Sequence, residues 1–426
     1  MRFFMKQNNI VILVSFYLSI GDNVNLYKHY LSYPIDIYGT GKNHWENIYR
    51  TKQLIYLNIR PRPAFFKFFH NFNCSAVMKT LSLIVFSLFL ISITDAQNKE
   101  VNDLVIAKGQ MPNMTRDQTN TIHIVYGYGD SILYISSKDG ISFTSPALIA
   151  VLPKLSAASM RGPQIAAAAN GLVVTACTNT GNIYSYEKMA SGKWSKALRV
   201  NDVNETAKEA LMALSADGLN AYAIWLGVKS PKGQKVYGAK SIDGGKTWAK
   251  NVLVYANPEG TVCECCKPSV AVKGNSVYVM FRNFLDGNRD LYLIKSADGG
   301  KSFGRAKKLG NGSWKLNGCP MDGGGLVIDK SGNPETVWRR EGKIYSASPG
   351  MPEKEIGEGR GCSMETVNNK NIYAWSENGN VTIMKPGSMK LNLGKGSLPL
   401  LKALDNEHVV CVWENKKQIL ASVVEL

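Results

Sequence analysis

The stretch KSIDGGKTW, Lys240 to Trp248, returns 55 residues later as KSADGGKSF, Lys295 to Phe303. A phrase repeated this closely restricts the chain to architectures built from a recurring unit. Its chemistry is that of a tight turn: Ser241 and Asp243 can accept hydrogen bonds from local N–H groups, Gly244 and Gly245 tolerate positive φ, and Trp248 supplies an apolar plug. Related anchors stand at Phe143, in SKDGISF, and Trp194, in SGKW, so the aromatic residues Phe143, Trp194, Trp248 and Phe303 are spaced 51, 54 and 55 apart. The phrase therefore reads as punctuation between strands, and any reacting group must lie elsewhere.

A second repeat runs beside the first. Seven hairpins alternate with period two between Gly, Asn or Asp turns: IHIVYG with SILYIS, GLVVTAC with NIYSYE, NAYAIWL with KVYGAKS, SVYVMFRN with DLYLIKS, ETVWRRE with KIYSAS, NIYAWSE with NVTIMK, and VVCVWEN with QILASVV. No helical periodicity interrupts them. Four-stranded sheets arranged radially, about 47 residues each, would protect the edges that an open sheet exposes. The expectation is an all-β chain forming a single β-propeller with seven blades. The segment DLVIAKG, Asp103 to Gly109, resembles the outer strands of other units and could complete the last sheet.

The propeller should occupy residues 97–426. Met78 opens MKTLSLIVFSLFLISITDAQN, whose single Lys, apolar run and small-residue ending at Thr94 and Ala96 have the layout of a secretory signal peptide over residues 78–96. Cleavage would leave Gln97 first and export the chain to the periplasm or beyond. Residues 1–77 then read as an over-extended start, since they lack sustained periodicity, with a genuine N-terminal domain as the alternative. The apolar run near Ile10 to Ile20 is short for a membrane span, so no stable membrane insertion is expected. The 330 residues from Gln97 carry a net charge of +11, which favours anionic partners. The lysines are scattered through turns without a basic helix or aromatic strip, which argues against nucleic acid. Oligomeric state is left open.

The phrase Ser-x-Asp-x-Gly-x-x-Trp, whole at Ser241 to Trp248 and with Phe at Ser296 to Phe303, resembles the Asp-box of the sialidase (neuraminidase) superfamily. The chain from Gln97 resembles the family's secreted bacterial members throughout. Sialidases have six blades, so the resemblance implies a six-bladed alternative to the hairpin count. It also implies three Arg residues gripping a carboxylate, because a guanidinium matches that group bidentately. A Tyr nucleophile partnered by Glu and an acidic acid/base would complete the site. Arg161 in RGP, Arg282 in FRN, and Arg339 or Arg340 in WRRE are the Arg candidates; Glu209, Tyr345 and Asp322 are the catalytic ones. The loop CTNTGN, Cys177 to Asn182, has no Asp where the family's acid would be wanted. A plainer reading has the Arg residues pairing with nearby acids such as Asp290 and Glu341. No cofactor is required for this chemistry.

Aligning the inner strands brings other residues forward. Their starts read RGPQIA, KEALMA, CCKPSVA, CPMDGGG, GCSMET and SLPLLK, which should gather Arg161, Glu209, Met212, Cys266, Cys319, Met321, Asp322 and Cys362 at one mouth of the central channel. Cys177 and Cys411 occupy equivalent strand positions and read as buried apolar residues. Cys263, Cys265, Cys266 and Cys319 allow two readings. One is disulfides tying blades together, with Cys266 and Cys319 as a matched pair. The other is a soft metal site, with Met321 nearby, of the kind that suits copper(I). With only His123 and His408 beyond Gln97, a histidine-based zinc site or a Ser/His triad is not expected. Three function classes follow: a sialidase-type glycosidase, a propeller binding glycans or other anionic small ligands, and a thiol- or metal-handling protein.

Overall fold

The computed structural model describes the backbone of residues 2–6, 9–20 and 23–34, and residues 104–228, 233–387 and 389–426. The chain divides into two units, Met1–Asn98 and Lys99–Leu426. In the first, Arg2–Lys6, Asn9–Ile20 and Asn23–Pro34 form a three-stranded antiparallel sheet. The run Asn9–Ile20 is apolar without a break from Ile10 to Val14, and its β-branched and aromatic residues suit a strand. The segment read as a signal peptide, and the expected start at Gln97, lie outside the described residues.

The second unit is a seven-bladed β-propeller, which excludes the six-bladed alternative. Its innermost strands are Gln110–Arg116, Gln164–Ala168, Met212–Asp217, Ser269–Lys273, Gly324–Ile328, Arg360–Val367 and Ser397–Ala403, belonging to blades one to seven in that order. Each packs beside the next, and the seventh beside the first. Closure comes from Leu104–Lys108, which adds the fourth strand to blade seven with Gln418 opposite Lys108 and Ile419 opposite Ala107. The segment singled out for that task is the one that does it.

The second strand of each blade lies between sheets on both faces, which is why its alternation dissolves into nearly continuous burial, as in Ile122–Tyr128 and Asn220–Gly227. Trp225, Trp338, Trp375 and Trp413, all on second strands, are among the largest fully buried side chains. Cys177 and Cys411 sit in these cores, as read from the sequence.

The repeated phrase forms the turn between third and fourth strands. In blade four the Ser296 hydroxyl donates to Asp298 at 2.7 Å and accepts from the Gly300 N–H at 2.8 Å, while Asp298 accepts from the N–H and hydroxyl of Ser302. Blade three repeats this with Ser241, Asp243 and Thr247. Each turn docks on the preceding blade: Trp248 donates to Ser185 at 2.8 Å, Phe303 meets Tyr222, Trp194 meets Tyr134, and Phe143 joins the cluster holding Val410. The spacing of the phrase is thus the spacing of blades. Since strands alternate in direction, these turns lie at the mouth opposite the starts of the inner strands.

Candidate functional site

The inner strands reach the channel through an unusual backbone. Met111, Met160, Met321 and Leu398 all have positive φ, at 52°, 72°, 49° and 55°; Met111 and Leu398 are second in their strands, and Met160 and Met321 stand in the segments that lead into theirs. Non-glycine residues hold this conformation where the surroundings over-determine it, and such positions concentrate at functional sites. Here the register shifts at the inner-strand starts of blades one and seven, between Gln110 and Asn113 and between Ser397 and Leu400. Met321 and Leu398 pack against the apolar cluster that contains Met111 and Met160.

The channel encloses about 630 Å³, bordered among others by Gln164, Lys267, Ser269, Asp322, Gly323 and Cys362. Lys267 is half-buried. Burial alone pulls its ammonium down to about 8, and among the described residues no acid opposes that effect. An amine held this way remains largely charged at neutral pH while lacking a counter-ion.

Asp322 is completely buried and already occupied. It accepts from the N–H groups of Gly323 at 2.8 Å and Gly361 at 3.2 Å, and Arg339 approaches it at 3.6 Å. Burial pushes its carboxyl up, opposed by the charges of Arg282 and Arg339. Arg282, also buried, donates to the carbonyls of Arg289 at 2.6 Å and Arg339 at 2.9 Å. Both guanidinium groups flank Trp314, at 5.5 and 5.3 Å from the ring centre. Two of the expected Arg residues therefore do meet, around an internal carboxylate.

The remaining candidates are dispersed. Arg161 donates to the Glu209 carboxylate at 2.8 Å and to its carbonyl at 2.6 Å, so these two form a closed pair ahead of the inner strands of blades two and three. Arg340 points to the opposite face of its strand from Arg339. It binds Glu353 at 2.8 and 2.6 Å and lies over the Tyr345 ring. Tyr345 is on the third strand of blade five, two strands out from the channel, with its hydroxyl 3.5 Å from Glu355. Among the residues expected to form one ring, Asp322 and Cys362 border the channel; Arg161 and Glu209 are held by each other.

The cysteines converge more tightly. Cys265 is disulfide-bonded to Cys319 with Cα atoms 6.3 Å apart, replacing the matched pair of Cys266 and Cys319 expected from repeat positions. The reason is local: in the bend Cys263 to Cys266 the buried Cys266 turns toward Cys263, Sγ to Sγ 3.3 Å, while half-buried Cys265 faces the exposed Cys319. Cys263 lies 3.8 Å from Cys265 and accepts from the Arg289 guanidinium at 3.2 Å. The Cys266 hydrogen bond, aided by Arg282 and Arg289 against burial, pulls the Cys263 thiol down to about 6; burial pushes Cys266 well up. The sulfurs of Cys263, Cys265 and Cys266 are close enough together to hold a metal ion, with Cys319 engaged by Cys265 and Met321 contributing a carbonyl that accepts from Arg360. Sequence reasoning passed over Lys267, although it follows Cys266 directly in the aligned start CCKPSVA, and Arg289, whose partner is distant in sequence.

No family model and no curated protein matches the chain. Solved structures do. NanB sialidase from Streptococcus pneumoniae, as its K499G mutant, is 12% identical over 76% of this chain and 70% of its own, with a TM-score of 0.40. An α-L-arabinanase from Penicillium chrysogenum is 12% identical over 76% and 95%, with a TM-score of 0.44. The BP39L lectin from Burkholderia pseudomallei is 9% identical over 75% of this chain and 96% of its own, with a TM-score of 0.55. At these identities the likeness is one of fold.

Proposed function

We propose that the chain is a binding propeller for an anionic small ligand of the glycan class, held in the central channel by Lys267. The observation that carries this reading is Lys267 at the border of a 630 Å³ channel, its ammonium buried and, among the described residues, without an acidic partner. A carboxylated sugar in the channel would supply the missing counter-charge. The lectin with the same fold is a precedent for binding without turnover. Hydrolysis of the sialidase type finds less support, because Glu209 is committed to Arg161, Asp322 to Arg339, and Tyr345 to the outer sheet. A second reading, a soft metal such as copper(I) on Cys263, Cys265 and Cys266, is favoured by the closeness of those sulfurs and requires Cys265 to be freed from Cys319.

The test is calorimetric titration with a carboxylated monosaccharide and its neutral counterpart, using wild type and Lys267→Met, alongside a release assay on an aryl sialoside. Only the acid should bind, and Lys267→Met should weaken it about tenfold to a hundredfold, the worth of one charged hydrogen bond. Equal binding of both sugars, or an unaffected variant, would refute the assignment to Lys267. Release of the aryl group would move the protein into the enzyme class.

A further inference from the structure

We infer that Cys263, Cys265, Cys266 and Cys319 exchange a disulfide among themselves, passing it between a surface staple and a buried pair. This goes beyond ligand binding and does not depend on Lys267. Four sulfurs meet where the bend before the blade-four inner strand touches the segment leading into the inner strand of blade five. The pair Cys265–Cys319 joins these two lead-in segments, and Cys319 is exposed. Behind it, shielded from solvent, Cys263 and Cys266 form a Cys-x-x-Cys unit with sulfurs 3.3 Å apart. The nearest disulfide sulfur, that of Cys265, is 3.8 Å from Cys263.

The groups around Cys263 suit an attacking sulfur. Arg289 donates to it at 3.2 Å, and that guanidinium is itself fixed by the Leu316 carbonyl and lies over the Phe284 ring. Attack of the Cys263 thiolate on Cys265 Sγ forms the Cys263–Cys265 bond and breaks Cys265–Cys319, with the electron pair leaving on Cys319, the exposed sulfur best placed to be solvated as an anion. Cys266 then attacks Cys263 Sγ, expelling Cys265 as thiolate; the Cys266 proton passes to one expelled thiolate, and the other takes back from solvent the proton that Cys263 released on ionising. The result is a Cys263–Cys266 disulfide and two thiols at Cys265 and Cys319. One disulfide and two thiols are present before and after, so no outside oxidant or reductant is consumed.

The consequence is mechanical as well as chemical. With the disulfide at Cys265–Cys319, blades four and five are tied at the channel mouth; with it at Cys263–Cys266 the tie is open and two accessible thiols face solvent. Those thiols can in turn reduce an external disulfide, which restores the staple and leaves both pairs oxidised. The buried pair thereby becomes a two-electron reserve for the surface pair.

The experiment uses the whole chain, fully reduced under chelator and then given one equivalent of a small disulfide oxidant. Samples are quenched in acid at intervals, alkylated, digested, and the linkages mapped by mass spectrometry. The expected result is early Cys265–Cys319 linkage, followed by growth of Cys263–Cys266 at its expense while total disulfide stays constant. Cys263→Ser should lose the second phase completely, and Cys266→Ser should accumulate Cys263–Cys265. A disulfide that never leaves Cys265–Cys319 in wild type overturns the inference, a reading that needs no variant to fold. So does a fully reduced protein that takes up copper(I) stoichiometrically in the absence of chelator yet shows no migration under it, which would leave a metal centre alone.

Discussion

Blades two to four and blades five to seven solve the same packing problem at opposite ends, and blade one uses both, since Gly109, after the outer strand of blade seven, lies against Tyr126. In the first group the turn between third and fourth strands carries an aromatic residue back onto the preceding blade, as Trp248 does to Ser185 and Phe303 to Tyr222. The close fit is visible at Gly300, φ 85°, where a Cβ would collide with the Tyr222 ring. In the second group the contact forms at the candidate-site mouth. There a glycine that follows the outer strand of one blade lies against an aromatic residue on the second strand of the next: Gly310 on Trp338, Gly359 on Trp375 and Gly396 on Trp413, whose indole also donates to the Lys395 carbonyl at 3.0 Å. The boundary between blades four and five is where the series of turns ends. The Cys265–Cys319 disulfide, the Arg282 bond to the Arg339 carbonyl and the Ser269 bond to Gly324 all cross it. The cysteines thus occupy the first of the seams that the turns leave unclasped.

The largest effect should separate the two kinds of seam by burial. Trp413 is fully buried, so Trp413→Ala should cost about 3–5 kcal/mol of stability, the usual range for deleting a core aromatic residue. Trp248 is half-buried, and Trp248→Ala should cost roughly half as much because less area returns to water. Denaturant unfolding of both variants checks this. Equal losses would mean that both seams carry the same load and that the distinction between the groups is one of geometry alone.

The asymmetry also explains what the sequence could tell. The seven hairpins were legible because the alternation and turn residues belong to contiguous stretches, and the closing strand because Leu104–Lys108 is similar to other outer strands. The turn phrases were legible because they recur. The glycine–aromatic seams were not, since Gly396 and Trp413 become partners only when two sheets stack. At the site, aligning strand starts brought Asp322 and the cysteines forward, but neighbours in a bend face different ways, so Cys265 and Cys266 exchanged roles. Arg161 and Arg340 looked like ligand-gripping residues because their carboxylate partners, Glu209 and Glu353, are set by folding and not by spacing.

A smaller effect sharpens the turn-based seam. Ser296 is buried, and its hydroxyl both donates to Asp298 and accepts from Gly300. Ser296→Ala leaves that N–H without its acceptor and should cost about 1 kcal/mol, within the range for one neutral hydrogen bond. Hydrogen exchange should rise at Gly300 and around Phe303, while the seam at Trp413 keeps its protection. Loosening at Trp413 as well would show that the ring distributes strain and that its seams are not independent.

The smallest effect is acid sensitivity confined to one kind of seam. Bonds from the Ser142 and Ile141 N–H groups hold Asp139 well below the usual carboxylate range, and bonds from Ser302 and Ser296 do the same for Asp298. At Asp243 burial acts upward, but the bonds from Thr247 and Ser241 outweigh it. A carboxylate whose folded pKa is depressed binds fewer protons folded than unfolded, so its contribution is fully present above the unfolded value of about 3.9 and disappears as pH falls through the folded one. The turns of blades one, three and four should therefore loosen progressively below about pH 4, with hydrogen exchange rising first at Gly140, Gly245 and Gly300. The Trp413 seam is the control, because its indole bonds to a backbone carbonyl that does not titrate in this range. If exchange at Trp413 rose in step with the turns, the acid response would belong to the whole propeller, and the division between seams would carry no thermodynamic meaning.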